Sequence, residues 1–220
     1  MNFKIEHTDR FFHVEFPEPV RMLSSAILNG GIKYADHFFN TKVDANFNGE
    51  KTDFELPAVT LERLAETNGW EGCCVGMMTA ALMKTFRRVR VEKQGVWIEV
   101  LVTAGVSNAR RAGDVADYQF INEACEKLGT INILVLTNAK LSDASMVECV
   151  MMVAEAKAAC MQDLNVHSRV SESIATGTGT DSTAIACGNG PEIKYCGKHV
   201  LFGELLAKSV HQAISESLAG

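Results

Sequence analysis

The sequence predicts an α+β fold, a mixed and largely antiparallel sheet covered by helices, in a single domain over residues 1–220. Three observations predict it. Apolar stretches alternating at period two come in pairs separated by turn residues. A nearly unbroken β-branched and leucine run, "INILVL", lies mid-chain, the pattern of a strand buried on both faces. Two long segments, residues 141–164 and the stretch after Gly197, follow the 3.6-residue repeat of helices.

Taken in order, "FKIEHT" and "FFHVEF" flank Asp9-Arg10 and read as strands, the second stopping at Pro17. In "LSSAILNGGIKYADHFF", Asn29-Gly30-Gly31 between apolar runs is a hairpin signal. The polar stretch "DANFNGEKTDFELP" reads as a loop, and Pro57 opens a helix that Asn68-Gly69 ends. "CCVGMMTAALM" fits a strand or a buried helix equally well. "FRRVRVEKQGVWIEVLVTAG" is a hairpin turning at Gly95. "GTINILVLTN" is the central strand, and Ser145 with Glu148 gives the following helix an S-x-x-E start signature. "STAIAC" is a short strand. In the last helix Phe202, Leu205, Leu206, Ser209, Val210, Ala213 and Ile214 share the apolar face.

Composition limits the function classes. Of 220 residues 47% are hydrophobic and 22% charged, with net charge −6, the profile of a packed domain. The densest basic group, Lys84, Arg87, Arg88 and Arg90, is followed by acids, so the footprint of a nucleic-acid binder is missing. No window approaches 18 uninterrupted apolar residues, and the N-terminus lacks a signal peptide's pattern, so no membrane span or export is expected. Seven cysteines form no C-x-x-C pair, and Cys125, Cys149 and Cys160 lie in apolar helical patterns. Reduced thiols and a cytoplasmic location are expected.

Candidate chemistry sits in four places. Glu155 and Lys157 are the two charges between Val150 and Met161 in an otherwise apolar helix. Such charges need partners or a polar site, and about 200° separates them around the axis, so each needs its own. Either a structural ion pair or an active-site carboxylate at Glu155 explains them. Asn29, Asn108 and Asn132 lie near apparent strand ends, where they serve turns or bind a ligand's amide and hydroxyl groups; Asn132, inside a strand start, is the hardest to explain as a turn. "GVSNARRAGD" brings Arg111 and Asp114 into a loop that is either solvated or anion-holding. The fourth place is "ATGTGTDSTA", residues 175–184. It lacks the G-K-[ST] of a P-loop and the G-x-G-x-x-G of a dinucleotide fold. Gly177 and Gly179 allow close backbone approach, Thr176, Thr178 and Thr180 offer a polar strip, and Asp181 a carboxylate. A glycine–threonine strand edge accounts for the stretch as well as a ligand loop does.

The ordered set "LSSAILNGG", "VGMMTAA", "VTAGVSNARRAGD", "GTINILVLTNAKLSDASMVE", "AEAKAA", "ATGTGTDS" and "GELLAKSV" resembles the adenosylcobinamide amidohydrolase family, over residues 24–210. The resemblance implies hydrolysis of the aminopropanol amide of adenosylcobinamide, giving adenosylcobyric acid and 1-amino-2-propanol in corrinoid salvage. It implies no cofactor, since the cobalt belongs to the small-molecule corrinoid substrate, no enzyme-bound metal, and no nucleic-acid or membrane partner. It says nothing of oligomeric state.

Under this reading the base is Asp181 or Glu155, and Lys157 or His199 protonates the departing amine. The attacking group is either an activated water or a threonine, Thr178 or Thr180, and N–H groups around residues 178–180 are the expected oxyanion donors. Asn29, Gly30, Asn108, Arg111, Asp114, Asn132, Gly177 and Gly179 are the expected substrate contacts. A non-catalytic corrinoid-binding protein and an amidase for another amide are the competing readings.

Overall fold

The computed structural model describes residues 1–43, 56–117 and 130–220. The polar loop expected from Asp44 onward, up to residue 55, and Cys125 lie outside them. The strands are β1 (Lys4–His7), β2 (Phe11–Ser24), β3 (Gly31–Lys42), β4 (Cys74–Thr79), β5 (Arg87–Lys93), β6 (Val96–Ala104), β7 (Ala109–Arg110), β8 (Ile131–Thr137), β9 (Lys140–Leu141), β10 (Gly177–Thr178), β11 (Ser182–Cys187) and β12 (Glu192–Ile193). The helices are α1 (Pro57–Thr67), α2 (Asp143–Asp163) and α3 (Leu201–Ala219).

The main sheet runs β4-β3-β2-β11-β8-β6-β5, with β1 paired to the outer half of β2. Within this sheet β3–β4 and β11–β8 are the parallel pairs among the described residues. The α+β class with a mixed, largely antiparallel sheet is what the sequence predicts. β8 lies between β11 and β6 and is buried along its whole length, as its unbroken apolar run requires. The β5–β6 hairpin turns at Gln94 and Gly95, both with positive φ, the geometry a two-residue hairpin needs.

Three expectations are corrected. β2 does not stop at Pro17. It continues to Ser24 because its pairing with β3 jumps register between Glu15 and Val20, so the two prolines fall where no ladder N–H is needed. The β2–β3 connection spans residues 25–30 rather than three residues; Asn29, at φ 53°, takes its left-handed position. The start of α2 is set by Ser142, whose side chain accepts from the Ser145 N–H at 3.1 Å. Glu148 instead accepts the Cys196 N–H at 2.7 Å, tying α2 to the segment before α3.

Two strands separate β3 from β8 in the sheet, yet Asn40 of β3 bonds to Asn132 of β8 at 2.8 Å and to Thr103 of β6 at 2.9 Å. The sheet therefore curls over itself. Phe12, Val14, Met22, Phe38, Leu101, Leu134 and Leu136 fill the concave side. On the convex side Val100, Val102, Ile133, Val135 and Ile185 pack against Met146, Val153 and Cys160 of α2 and Leu206 and Val210 of α3. Each such side chain contributes about 1.5–3 kcal/mol by leaving water. Helix α1 closes a smaller cluster of Leu61, Ala65, Leu28, Phe39 and Cys74.

At the curled end His13 is 6% exposed. Its Nε2 lies 3.0 Å from Nδ1 of His37, and its ring stacks on Trp70 at 4.0 Å. Burial, then the neighbouring His37, lower its pKa to about 4, against a smaller opposing pull from Glu15. The folded protein holds this imidazole neutral, while the unfolded chain protonates it near pH 6.5. Its contribution is complete above about pH 6.5 and is lost as pH falls from there toward 4. Urea unfolding of wild type should therefore weaken by on the order of 3 kcal/mol more across that window than unfolding of His13→Phe. Parallel pH profiles for the two proteins would refute this assignment.

Candidate active site

One end of the curled sheet gathers most of the residues singled out in the sequence. The start of β8, the start of β11, the end of β6 and the β2–β3 connection meet there. The β7–β10 ribbon lies alongside, pairing Gly177 with Arg110 and Thr178 with Ala109.

Asp181 is the hub. Its Oδ1 accepts the Ile131 N–H at 2.9 Å and the Thr178 hydroxyl at 2.5 Å. Its Oδ2 accepts the Thr178 N–H at 2.9 Å and pairs with the Lys157 ammonium. The two charged side chains are only 10% and 16% exposed. Four donors match the acceptor capacity of an ionised carboxylate, which is how a charge is tolerated at this depth. Lys157 reaches it from α2, so the reasoning that this lysine needs a partner off its own helix holds, and the partner is Asp181. Gly177 makes the approach possible: a Cβ there would sit 2.2 Å from Asp181 Oδ2 and 2.9 Å from Lys157 Nζ. The close approach expected of this glycine is thus to the protein's own ion pair. A Cβ on Gly179 would meet nothing nearer than 3.8 Å.

The threonines divide the work. Thr176 accepts the Ala112 N–H at 2.9 Å and fastens the neighbouring loop. The Thr180 hydroxyl lies 2.6 Å from that of Thr130. Thr130 was not singled out in the sequence, where it reads as part of the central strand. The Thr178 N–H is spent on Asp181 and the Thr180 N–H donates to the Thr178 hydroxyl oxygen at 3.5 Å, so two of the expected oxyanion donors already serve the protein's own groups.

Other expected site residues lie elsewhere or serve the frame. Glu155 is half exposed and pairs with Lys198. The premise that it is a buried charge is corrected, because α2 shows an open stripe at Val147, Met151, Ala154 and Glu155. His199 is exposed in the segment before α3, one residue from that surface pair. Neither is brought to Asp181. Asn29 donates to the Cys74 carbonyl at 2.9 Å, and a Cβ on Gly30 would lie 2.4 Å from the Ala26 carbonyl; both shape the β2–β3 connection. Asp114 accepts from Ser168 at 2.5 Å, Ser171 at 2.7 Å and the Arg111 N–H at 2.8 Å. Those bonds, Ser168 first, hold its carboxyl below the usual range. Arg111 reaches the Ile174 carbonyl at 3.1 Å. Asp114 and Arg111 thus join the loop after β7 to the loop before β10.

The asparagines differ. Asn132, 1% exposed, donates to Asn40 Oδ1 at 2.8 Å and to the Met78 carbonyl at 2.7 Å. Its own oxygen and that of Asn108 are the buried side-chain polar atoms without a hydrogen-bond partner among the described residues. Ser25 and Ser182 add a hydroxyl pair 3.0 Å apart beside them. The serines escaped notice because 157 residues separate them.

Comparison with known proteins follows from this geometry. The model of the family described as adenosylcobinamide amidohydrolase matches residues 1–220. An adenosylcobinamide amidohydrolase of Methanosarcina mazei is 26% identical over 201 residues, 87% of this chain and 86% of that one. An uncharacterized protein of Methanocaldococcus jannaschii is 32% identical over 158 residues, 64% of this chain; the match spans 61% of that relative's length. Among solved structures, a Burkholderia sp. beta-aminopeptidase superposes with TM-score 0.46 and 13% identity, covering 99% of this chain and 81% of that one. A protein of Pyrococcus horikoshii superposes with TM-score 0.42 and 11% identity, over 98% and 79%. The chain belongs to the adenosylcobinamide amidohydrolase family, and with it to the amide-hydrolysing enzymes.

The two lysine–carboxylate pairs should behave differently. Lys157→Met leaves a buried carboxylate uncompensated and is expected to cost about 3–5 kcal/mol in urea unfolding. Glu155→Gln removes only a surface pair and should cost less than about 1 kcal/mol. Equal losses would show that Lys157–Asp181 is not the buried anchor described here.

Proposed function

We propose that this member of the family hydrolyses the amide joining the corrin propionyl arm of adenosylcobinamide to 1-amino-2-propanol, releasing adenosylcobyric acid and the amino alcohol. The observation that carries the catalytic reading is the Thr178 hydroxyl held 2.5 Å from a carboxylate that is itself paired with an ammonium. Hydroxyl, proton acceptor and proton donor are the three groups that amide cleavage needs, and here they are in contact.

In the proposed sequence the Thr178 oxygen attacks the carbonyl carbon while Asp181 takes its proton. The Gly179 N–H is the proposed donor to the negative charge developing on the carbonyl oxygen; one such donor is typically worth about 3 kcal/mol. The C–N bond breaks as Lys157 gives a proton to the departing amine. Water then cleaves the threonine ester, the carboxylic acid leaves and Thr178 regains its hydrogen. Asp181 and Lys157 exchange a proton across their contact, so the site resets. Asn108 and Asn132 contact the substrate, while Asn29, Gly30, Arg111 and Asp114 shape the loops around it. Glu155 and His199 are assigned no step.

The cobalt is part of the substrate, and the proposed chemistry draws on protein side chains alone. No nucleic-acid or membrane partner is proposed; among the described residues no helix is long and apolar enough to cross a membrane. The reducing cytoplasm is the proposed compartment, in keeping with six free cysteines among the described residues.

Purified protein incubated with adenosylcobinamide, without nucleotide or added metal, should release 1-amino-2-propanol, detected by mass spectrometry. Thr178→Val and Asp181→Asn, if folded, should each lose at least 100-fold in kcat, the scale of a lost nucleophile or base. Glu155→Gln should stay within about twofold, as expected of a surface pair remote from the chemistry. Full activity in folded Thr178→Val would move the attack to a water molecule. An intact substrate with wild type would sink the reaction itself.

A further inference from the structure

We infer that Asn132 is a specificity residue whose side-chain oxygen accepts a hydrogen bond from an amide N–H of the substrate. The inference rests on the proposed amide substrate and goes beyond it by naming the atom and the polarity of the contact.

The Asn132 amide has a defined orientation. Its nitrogen contacts two acceptors, Asn40 Oδ1 and the Met78 carbonyl. Turning the amide over would set oxygen against oxygen at both contacts, so the orientation is fixed by its neighbours. The Met78 carbonyl, which can only accept, fixes the Asn132 nitrogen, and that nitrogen in turn fixes the Asn40 oxygen opposite it. The remaining Asn132 oxygen therefore remains an acceptor, and it has no partner among the described residues. An unpaired buried acceptor costs about 1–3 kcal/mol. Contacts from β3 and β4 hold this one in a single orientation.

Its position suits a ligand. Asn132 lies at the start of β8, in register with Ser182 of β11 on one side and Thr103 of β6 on the other. Ser182 meets the exposed Ser25 hydroxyl. The preceding residue, Ile131, gives its N–H to Asp181. Consecutive residues of one strand end thus supply the orphan acceptor and a support for the carboxylate. The second orphan acceptor, Asn108 Oδ1, lies beside Gly179, with the Asn108 amide nitrogen 3.8 Å from where a Cβ would stand. Two unfilled acceptors select a ligand rich in N–H donors, such as carboxamides, and oppose a carboxylate, whose oxygens would face them without a proton between.

The test compares Asn132→Leu with Asn40→Leu under steady-state turnover of adenosylcobinamide. Asn132→Leu should raise KM about 10- to 100-fold with kcat within about threefold, the size of one lost hydrogen bond to a buried group. Asn40→Leu removes the same network bond but keeps the Asn132 oxygen, and its KM should stay within about threefold. Equal KM increases in the two variants would reduce Asn132 to a structural role, and a folded Asn132→Leu with wild-type KM would overturn the inference, leaving the oxygen a water site. Should Asn132→Leu not fold, calorimetry on wild type decides. A cobinamide whose peripheral carboxamides are converted to carboxylates should bind at least about tenfold more weakly, and equal affinity would refute the claim. Wild type that neither binds nor cleaves adenosylcobinamide would instead overturn the proposed substrate.

Discussion

The Asp181 carboxylate joins the site together. It ties the lysine of α2, the first N–H of β8 and both polar groups of Thr178 to one point. Ionised carboxylates are costly to bury, and this one is tolerated because four donors replace water. The requirement explains several local features. A Cβ at residue 177 would strike the ion pair as it stands, so a side chain there would have to displace Asp181 or Lys157. The threonine–glycine run must turn back on itself so that Thr178 reaches Asp181, three residues on. Helix α2 must present Lys157 inward, which leaves Glu155, about 200° around it, to the surface.

The same saturation bears on mechanism. A carboxylate already accepting four hydrogen bonds has no lone pair to spare for an incoming water. It can take a proton from a group it already holds, and Thr178 is that group. This favours attack by the threonine oxygen over attack by a water poised on Asp181. In the proposed sequence Lys157, fixed against the same carboxylate, protonates the departing amine. In a site so poorly exposed, such charges act more strongly than they would in water.

The sheet gives the site its position. The sheet curls, so that polar residues of β3, β6 and β8 meet on the concave side while Asp181 and Lys157 meet at α2. Consecutive residues of β8 serve the two sides. The Ile131 N–H supports the carboxylate, and the Asn132 side chain points into the concave network. Strand alternation is the physical basis of this division. It gives one strand end two polar functions with no loop between them.

Local order was legible in the sequence. The period-two runs located the β5–β6 hairpin, the β-branched run located β8, and the 3.6-residue repeat located α2 and α3, because each signal lies within a few turns or one strand. Pro17 misled because a proline's effect depends on whether its partner strand needs an N–H there, and that partner, β3, is folded from residues about twenty positions away. The candidate site was legible as residue types. Asp181, the threonines and three asparagines were visible as candidate site residues, and Lys157 as a charge in need of a partner. Which of them meet was not, since Lys157 and Asp181 are 24 residues apart and Asn40 and Asn132 are 92 apart. Glu155 and Lys157 looked alike in sequence, two charges in one apolar helix; only the packing of α2 on the sheet decided that one is surface and the other is site. The sequence by itself determined the elements, the family and the chemistry at hand. Tertiary structure alone decided the pairings, because burial and hydrogen-bond partnership are set by segments that the chain brings together only on folding.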